Sequence, residues 1–409
     1  MSSLRRKTLA WSLIAAVGAL VWLLARFTQS PAPSADLNQD LQSIISELVQ
    51  KDRSVKNCVL SVMTGDGSWE WSGAVGIAHE DGGVPMTSDT PIYIASVTKL
   101  YTATAVMLLI EKGAVSLDDP MAKYLPNELI RGIHIYHGKD YSAEITIREL
   151  LSHSSGIADY YTEKSSDGKN LFEYFLEKPD RMWTVDETIA RARNDLKPNF
   201  RPGTGASYSD TNFQLLGKVI EAVTGKPLQL VYEEFFFHPL GLEHTWLIGH
   251  WRSQNVPPPS PADVFFQDMN ITRIRSNGAY WAEGGIVSTA GEMNIFLKAL
   301  NEGRIIRPAS LKLMHDWRRI QFPLQYGYGT MYFNLPWPIR ALTRIPPLWG
   351  HSGSTGSFLY YSESLDLYMA GSIDQTESKT KPFILMRRVM RAIAARRLAQ
   401  GGSAEVSAR

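Results

Sequence analysis

The chain has 409 residues, 44% of them hydrophobic and 20% charged, with a formal net charge of +1. That is a globular composition, long enough for a large core or two subdomains, and its balanced charge gives no argument for a nucleic-acid or acidic partner. A single cysteine, Cys58, excludes an intrachain disulfide and any multi-cysteine metal site, and its place in the apolar run Cys58–Met63 marks it as core.

Arg5, Arg6 and Lys7 precede an apolar run from Leu9 to Ala25 that only Ser12 and Gly18 interrupt. A basic flank followed by an apolar run means export or anchoring. At about 17 residues the run lies between a signal peptide's apolar region and a spanning helix. Arg26 and Phe27 spoil the obvious small-x-small cleavage site, so the expectation is an uncleaved anchor, basic end in the cytoplasm. The remainder is then extracytoplasmic, periplasmic if the source is bacterial. Gln29–Ala35 reads as a flexible tether. The expected organisation is a signal or anchor segment with linker at 1–35, one domain at 36–400 and a disordered tail at 401–409.

Asp36–Asp52 has helical periodicity through Leu37, Leu41, Ile44, Ile45 and Leu48. Cys58–Met63, Gly65-Asp66-Gly67 and Ser68–Val75 predict a β-hairpin. A short strand near Ile92–Ile94 leads into a helix that starts near Ser96 and ends around Lys112-Gly113. Further helices are expected at Ile147–Ser152, Val185–Asn194, Thr211–Thr224, Leu228–Phe237 and Ser288–Glu302. Strand patterns return at Tyr328–Phe333, Ser357–Ser362 and Leu367–Ile373. Phe383–Ala399 is a final helix with a basic face, read as solvated or as a contact for anionic lipid. Strands at both ends with helices between them predict an α+β fold: one antiparallel sheet flanked by helices, with an inserted helical subdomain and a site between the two.

Ser96-Val-Thr-Lys99 opens the most apolar of these helices. A lysine three residues after a serine lies on the same helix face, so its amine can reach and activate the hydroxyl. An ordinary helix cap is the competing reading of Ser96. The same spacing recurs at Ser166–Lys169 and Ser378–Lys381, but neither opens a long apolar helix. Tyr208-Ser-Asp210 lies just ahead of the helix at 211–224. A tyrosine can work as a general acid or base if a nearby cation favours its phenolate, and Asp210 can equally cap the helix. In Trp349-Gly-His-Ser-Gly-Ser-Thr-Gly356, small residues let a substrate backbone lie close, and His351 can offer it a charge or a hydrogen bond. His134-Ile-Tyr-His137 lacks the glutamate and third ligand of a zinc hydrolase motif, so no metal is expected. Leu151-Ser-His-Ser-Ser-Gly156 can carry chemistry through His153, with packing the favoured reading.

Taken in order, Ser-x-x-Lys, Tyr-x-(Asn/Asp) and a late His-x-Gly resemble the serine β-lactamase and penicillin-binding protein superfamily. The similarity points to the branch with class C β-lactamases, D-alanyl-D-alanine carboxypeptidases and related esterases. Leu117–Pro126, Leu150–Ile157 and Gly284–Thr289 also fit it, and the resemblance covers roughly residues 38–395. It implies Ser96 as nucleophile, Lys99 as its proton acceptor or relay, and Tyr208 as partner base and later acid. His351 takes the place where β-lactamases usually carry lysine. The oxyanion hole would be the backbone N–H groups of Ser96 and Ser354, with Asp210, Ser352 and Gly353 binding substrate. No cofactor is implied; the partner is a small-molecule or peptide substrate. The family's second motif usually ends in asparagine, and Asp210 cannot donate to a substrate carbonyl unless protonated. The resemblance thus implies a serine hydrolase of D-amino-acid peptides or small esters. The alternatives are a β-lactamase or a catalytically weak penicillin-binding or sensor protein.

Overall fold

The computed structural model describes residues 36–251, 257–272 and 274–406. The segment 1–35, with its expected anchor, lies outside the described residues, within which no helix is long and apolar enough to cross a membrane.

Helix α1 (Leu37–Lys51) leads into the hairpin of β1 (Asn57–Thr64) and β2 (Glu70–His79), followed by the short β3 (Val84–Pro85). The chain then leaves the sheet for more than half its length. It returns through β4 (Arg318–Gln321), β5 (Leu324–Tyr326), β6 (Met331–Phe333), β7 (Leu348–Ser352), β8 (Phe358–Ser362) and β9 (Leu367–Ser372). These build one nine-stranded sheet in the order β4-β5-β6-β7-β8-β9-β1-β2-β3. Every pairing is antiparallel, and β1 joins β9 with Val59 opposite Ser372. The first and last parts of the chain are therefore neighbours, and the helical part is an insertion between them.

Side chains on a strand alternate between faces. Cys58, Leu60 and Val62 pack with Leu41, Ile44 and Ile45 of α1 and with Leu385, Met386 and Val389. Val59 and Met63 face the other core, with Met293, Phe296 and Leu297. Both faces of β1 are thus covered, which is why it is buried without a break from Asn57 to Met63. The last three residues of each core belong to the final helix α5 (Lys381–Val406) and to α4 (Ala290–Asn301).

Several boundaries differ from the sequence expectation. Ser288 lies in the strand Ile286–Ser288, and the α4 helix starts after Thr289, whose hydroxyl caps it. Helix α5 continues past residue 400 to Val406. Its basic face is divided: Arg391 and Arg397 are exposed, and the other part packs inward. Arg387 and Arg388 are buried, and Arg388 reaches Glu47 of α1 at 2.9 Å and the Ile44 carbonyl at 3.5 Å. Acidic residues of the first helix neutralise that part of the last one.

Candidate active site

The nucleophile candidate stands where the insertion meets the sheet. Helix α2 (Thr98–Glu111) is apolar on every side and buried from Thr98 to Met107. A tight 3₁₀ turn, Ala95–Val97, precedes it, and Ala95 sits at φ 47°. Left-handed alanine is costly, and it is held here by packing on both sides. Thr355 and Ser357 donate their hydroxyls to the carbonyls of Tyr93 (2.8 Å) and Ile94 (2.7 Å). A Cβ at Gly353 would come within 2.5 Å of the Ile94 carbonyl oxygen, so only glycine lets the segment after β7 lie this close. Val97 is the helix cap residue and makes no side-chain cap bond, so Ser96 is not spent on capping.

Lys99 is completely buried. Its Nζ donates to Ser96 Oγ at 3.0 Å and to the Glu283 carbonyl at 2.7 Å, and it pairs with Asp210 Oδ1 at 2.6 Å and Glu283 Oε2 at 3.4 Å. The competing Ser-x-x-Lys pairs have no such contact. Lys169 is bound to Glu177 at 2.5 Å, and Lys381 to Asp52 at 2.6 Å. Ser166 is exposed, whereas Ser378 lies on the rim of the cavity described below.

Helix α3 (Asp210–Thr224) brings in the second motif; Ser209, not Asp210, holds its N-cap position, without a side-chain cap bond. The half-buried Tyr208 has its ring centre 5.0 Å from Lys99 Nζ. Tyr160 donates to Glu283 Oε1 at 2.7 Å, and the Asp210 N–H donates to Asp159 Oδ1 at 3.1 Å. Five ionisable groups, Tyr160, Tyr208, Asp159, Asp210 and Glu283, therefore gather near the lysine.

Their protonation follows from burial and from one another. Burial works against the Lys99 cation, but Asp210 and Glu283 outweigh it and raise its pKa. Burial, then the Asp210 charge, pushes Glu283 up to about 7 against the pull of Lys99. The same two causes bring Asp159 to about 7. Tyr208 is raised well above the usual phenol value by burial and by Asp210, with the nearby Ser96 hydroxyl opposing. The resting site thus holds a lysine cation and a neutral phenol. The expectation of a phenolate favoured by the cation is not met, because burial and then the Asp210 charge oppose it.

The late motif is placed differently from its sequence reading. Ser352, Gly353 and Ser354 line the cavity beside Ser96. His351 does not line it. Its ring is fully buried, with Nδ1 donating to the Ser352 carbonyl at 2.8 Å and Nε2 accepting from the Tyr326 hydroxyl at 3.1 Å. Burial and the Lys99 charge push its pKa down to about 3, so it offers substrate neither charge nor contact. Tyr326 occupies the cavity wall in its stead. The sequence reading missed Tyr326, Glu283 and Asp159. Glu283 directly precedes the Gly284–Thr289 stretch, and Asp159 follows the Ser-His-Ser-Ser-Gly stretch by three residues, but nothing local marks either as part of the site.

The cavity measures about 540 Å³. Its lining includes Tyr93, Tyr161 and Tyr280, the apolar Ile320, Leu324, Met331 and Phe383, and the carboxyl-bearing Asp159, Asp210 and Glu283. His134 Nε2 donates to the Phe200 carbonyl at 2.9 Å, and His137 is exposed; no group of three potential metal ligands occurs among the described residues. Cys58 is buried in the sheet core, with its thiol pKa raised by burial.

A buried Ser-Lys pair facing a tyrosine, between an antiparallel sheet and a helical insertion, is the arrangement of an acyl-transferring serine hydrolase. The beta-lactamase family model matches residues 42–386, and the chain belongs to that family of serine hydrolases. It is 31% identical over 314 residues to "Penicillin-binding protein 4" of Amycolatopsis lactamdurans, covering 70% of this chain and 72% of the relative. It is 29% identical over 225 residues to "Esterase EstB" of Burkholderia gladioli, spanning only 53% of either chain. The structure of a D-amino acid amidase from Ochrobactrum anthropi SV3, complexed with L-phenylalanine amide, superposes with a TM-score of 0.71 at 26% identity. That superposition covers 89% of this chain and 100% of the amidase.

Proposed function

We propose that the protein hydrolyses small esters and D-amino-acid amides or peptides through an acyl-enzyme on Ser96, and that β-lactams are poor substrates. The observation that carries this is the commitment of Asp210 to Lys99 at 2.6 Å. A carboxylate engaged with a cation has no donor for the acylamide of a β-lactam. His351, turned onto Tyr326, supplies no cation for the β-lactam carboxylate. The Asp159 and Glu283 carboxyls in the cavity lining repel such a carboxylate and suit an uncharged or amine-bearing substrate instead.

The proton path follows from the resting state. The three N–H bonds of Lys99 are directed at Ser96, Asp210 and the Glu283 carbonyl, so the ammonium cannot accept the Ser96 proton. Glu283, near neutrality and 3.4 Å away, can take a proton from Lys99 when ionised. The free amine then accepts the Ser96 proton as Oγ attacks the acyl carbon. The Ser96 and Ser354 N–H groups receive the oxyanion, a pair of donors typically worth about 3–4 kcal/mol each. Tyr208 gives its proton to the leaving group and recovers one through Lys99. Water repeats the sequence to release the acid. We place this reaction outside the cytoplasm, with Leu9–Ala25 as the anchor. Sedimentation of the full chain with membranes tests that placement.

The substrate reading is tested by kcat/KM on a nitrophenyl ester, D-phenylalanine amide and a chromogenic cephalosporin. The ester and the amide are turned over, and the cephalosporin slowly or not at all. A tenfold or greater preference for the cephalosporin overturns it.

A further inference from the structure

His153 has no part in the proton path above, yet it is the residue on which Tyr208 hangs. It is fully buried and sits at φ 54°, in the left-handed region. That twist turns its carbonyl and its ring toward the same neighbouring segment. The Ser207 N–H donates to the His153 carbonyl at 2.9 Å, and the Ser209 N–H donates to His153 Nδ1 at 3.2 Å. Both neighbours of Tyr208 are thereby fixed to one residue. Asn212 Nδ2 reaches the same ring nitrogen at 3.2 Å. Its amide orientation is set from the other end, because Asn212 Oδ1 accepts from Ser155 Oγ at 2.7 Å. Two donors aimed at Nδ1 require that nitrogen to be unprotonated, which places the ring proton on Nε2. The ring face lies against Tyr208 at 4.3 Å between centres and against Tyr326 at 4.4 Å. It touches both the phenol that lies near Ser96 and the one bound to His351, and those two tyrosine rings also meet edge to face at 5.8 Å.

We propose that His153 is a positioning residue: a two-point clamp that holds the Tyr208 backbone while its ring fixes the tilt of the phenol toward Ser96. The proposal rests on Tyr208 acting in proton transfer. A residue that orients a reacting group, without contacting substrate, affects the chemical step more than substrate binding.

The test compares His153→Asn, His153→Gln, Asn212→Asp and Tyr208→Phe in the full-length protein, by ester kcat and KM and by thermal melting. Asparagine tolerates left-handed backbone and can place an oxygen close to the position of Nδ1; glutamine's reaches instead toward Nε2. His153→Asn is expected to keep kcat within about fivefold of wild type, and His153→Gln to lose at least about 30-fold with KM within about twofold. Asn212→Asp, nearly isosteric, replaces a donor to Nδ1 with an acceptor and draws a proton there, displacing the Ser209 N–H. It is expected to lower kcat at least about tenfold without loss of folding, so the proposal can be judged even if the histidine variants do not fold. Wild-type kcat in a folded His153→Gln or Asn212→Asp variant, or equal losses in His153→Asn and His153→Gln, overturns the clamp. If Tyr208→Phe acylates normally, the tyrosine's catalytic role falls and the clamp with it. A dead Tyr208→Phe beside an active His153→Gln removes the clamp alone.

Discussion

Lys99 Nζ and Asp210 Oδ1 stand 2.6 Å apart in a site where the lysine is fully buried. This pair fixes the charge of the whole reacting end, because Asp210 raises the pKa of Lys99, Glu283, Asp159 and Tyr208 alike. Asp210→Asn restores an amide donor and removes that charge. The ratio of cephalosporin to ester kcat/KM should rise at least about tenfold. An unchanged ratio would show that Asp210 does not set substrate class.

The pH profile should report Glu283. Its carboxyl titrates at about 7, and only its ionised form can relieve Lys99 of a proton. Ester kcat/KM should therefore rise with pH through a midpoint near 7. Glu283→Gln should abolish that limb and lower the plateau at least about tenfold. Asp210→Asn should move the midpoint down, since the Asp210 charge helps to hold Glu283 up. His351, pushed down to about 3, should contribute no inflection near 6.5.

Lys99→Ala and Tyr208→Phe should each slow acylation by at least about 100-fold in a single turnover. Near-normal acylation in Tyr208→Phe would take the tyrosine out of the mechanism.

Ser96, Lys99, Tyr208 and Asp210 were legible because their relations are local. Three residues along a helix start put Ser96 beside Lys99, and a turn-rich loop ahead of an apolar helix put Tyr208 and Asp210 at an element's end. The paired β1–β2 hairpin was legible for the same reason, its turn lying in Gly65–Gly67. Glu283 was not, because its partner lies 184 residues away. The direction of His351 was not legible either. Leu348–Ser352 is buried on both faces through His351, so no alternation marks which side chain meets the cavity. Trp349-Gly-His-Ser-Gly353 also reads as a turn, although most of it is strand β7. The short β4 and β5 carry too few residues for a pattern. The inward turn of Arg388 on α5 was not legible because its partner Glu47, on α1, lies at the other end of the chain, whereas Arg391 and Arg397 are exposed as a solvated face requires.

Stability should carry a separate signature at Asp374, which is buried away from the reacting lysine. Burial, helped by Asp263 and opposed by the Ser372 hydroxyl, pushes it up to about 7 from a usual value of 3.8. The folded chain then keeps a proton that the unfolded chain has released. Stability from this group is fully present below pH 3.8 and is lost as pH rises through about 7. Asp374→Asn does not titrate. Between pH 5 and 8 its stability relative to wild type should shift in its favour by about 1–3 kcal/mol, read from urea melts. A pH-independent difference would refute the assignment.

The central claim is that Ser96, with Lys99 on its hydroxyl at 3.0 Å, forms the acyl-enzyme. Peptide mapping by mass spectrometry after reaction with a serine-directed acylating probe tests it most directly. The label should fall on Ser96, and Ser96→Ala should remove both label and ester hydrolysis. A label on Ser378, which lies on the rim of the same cavity, or on Ser166 would contradict the account.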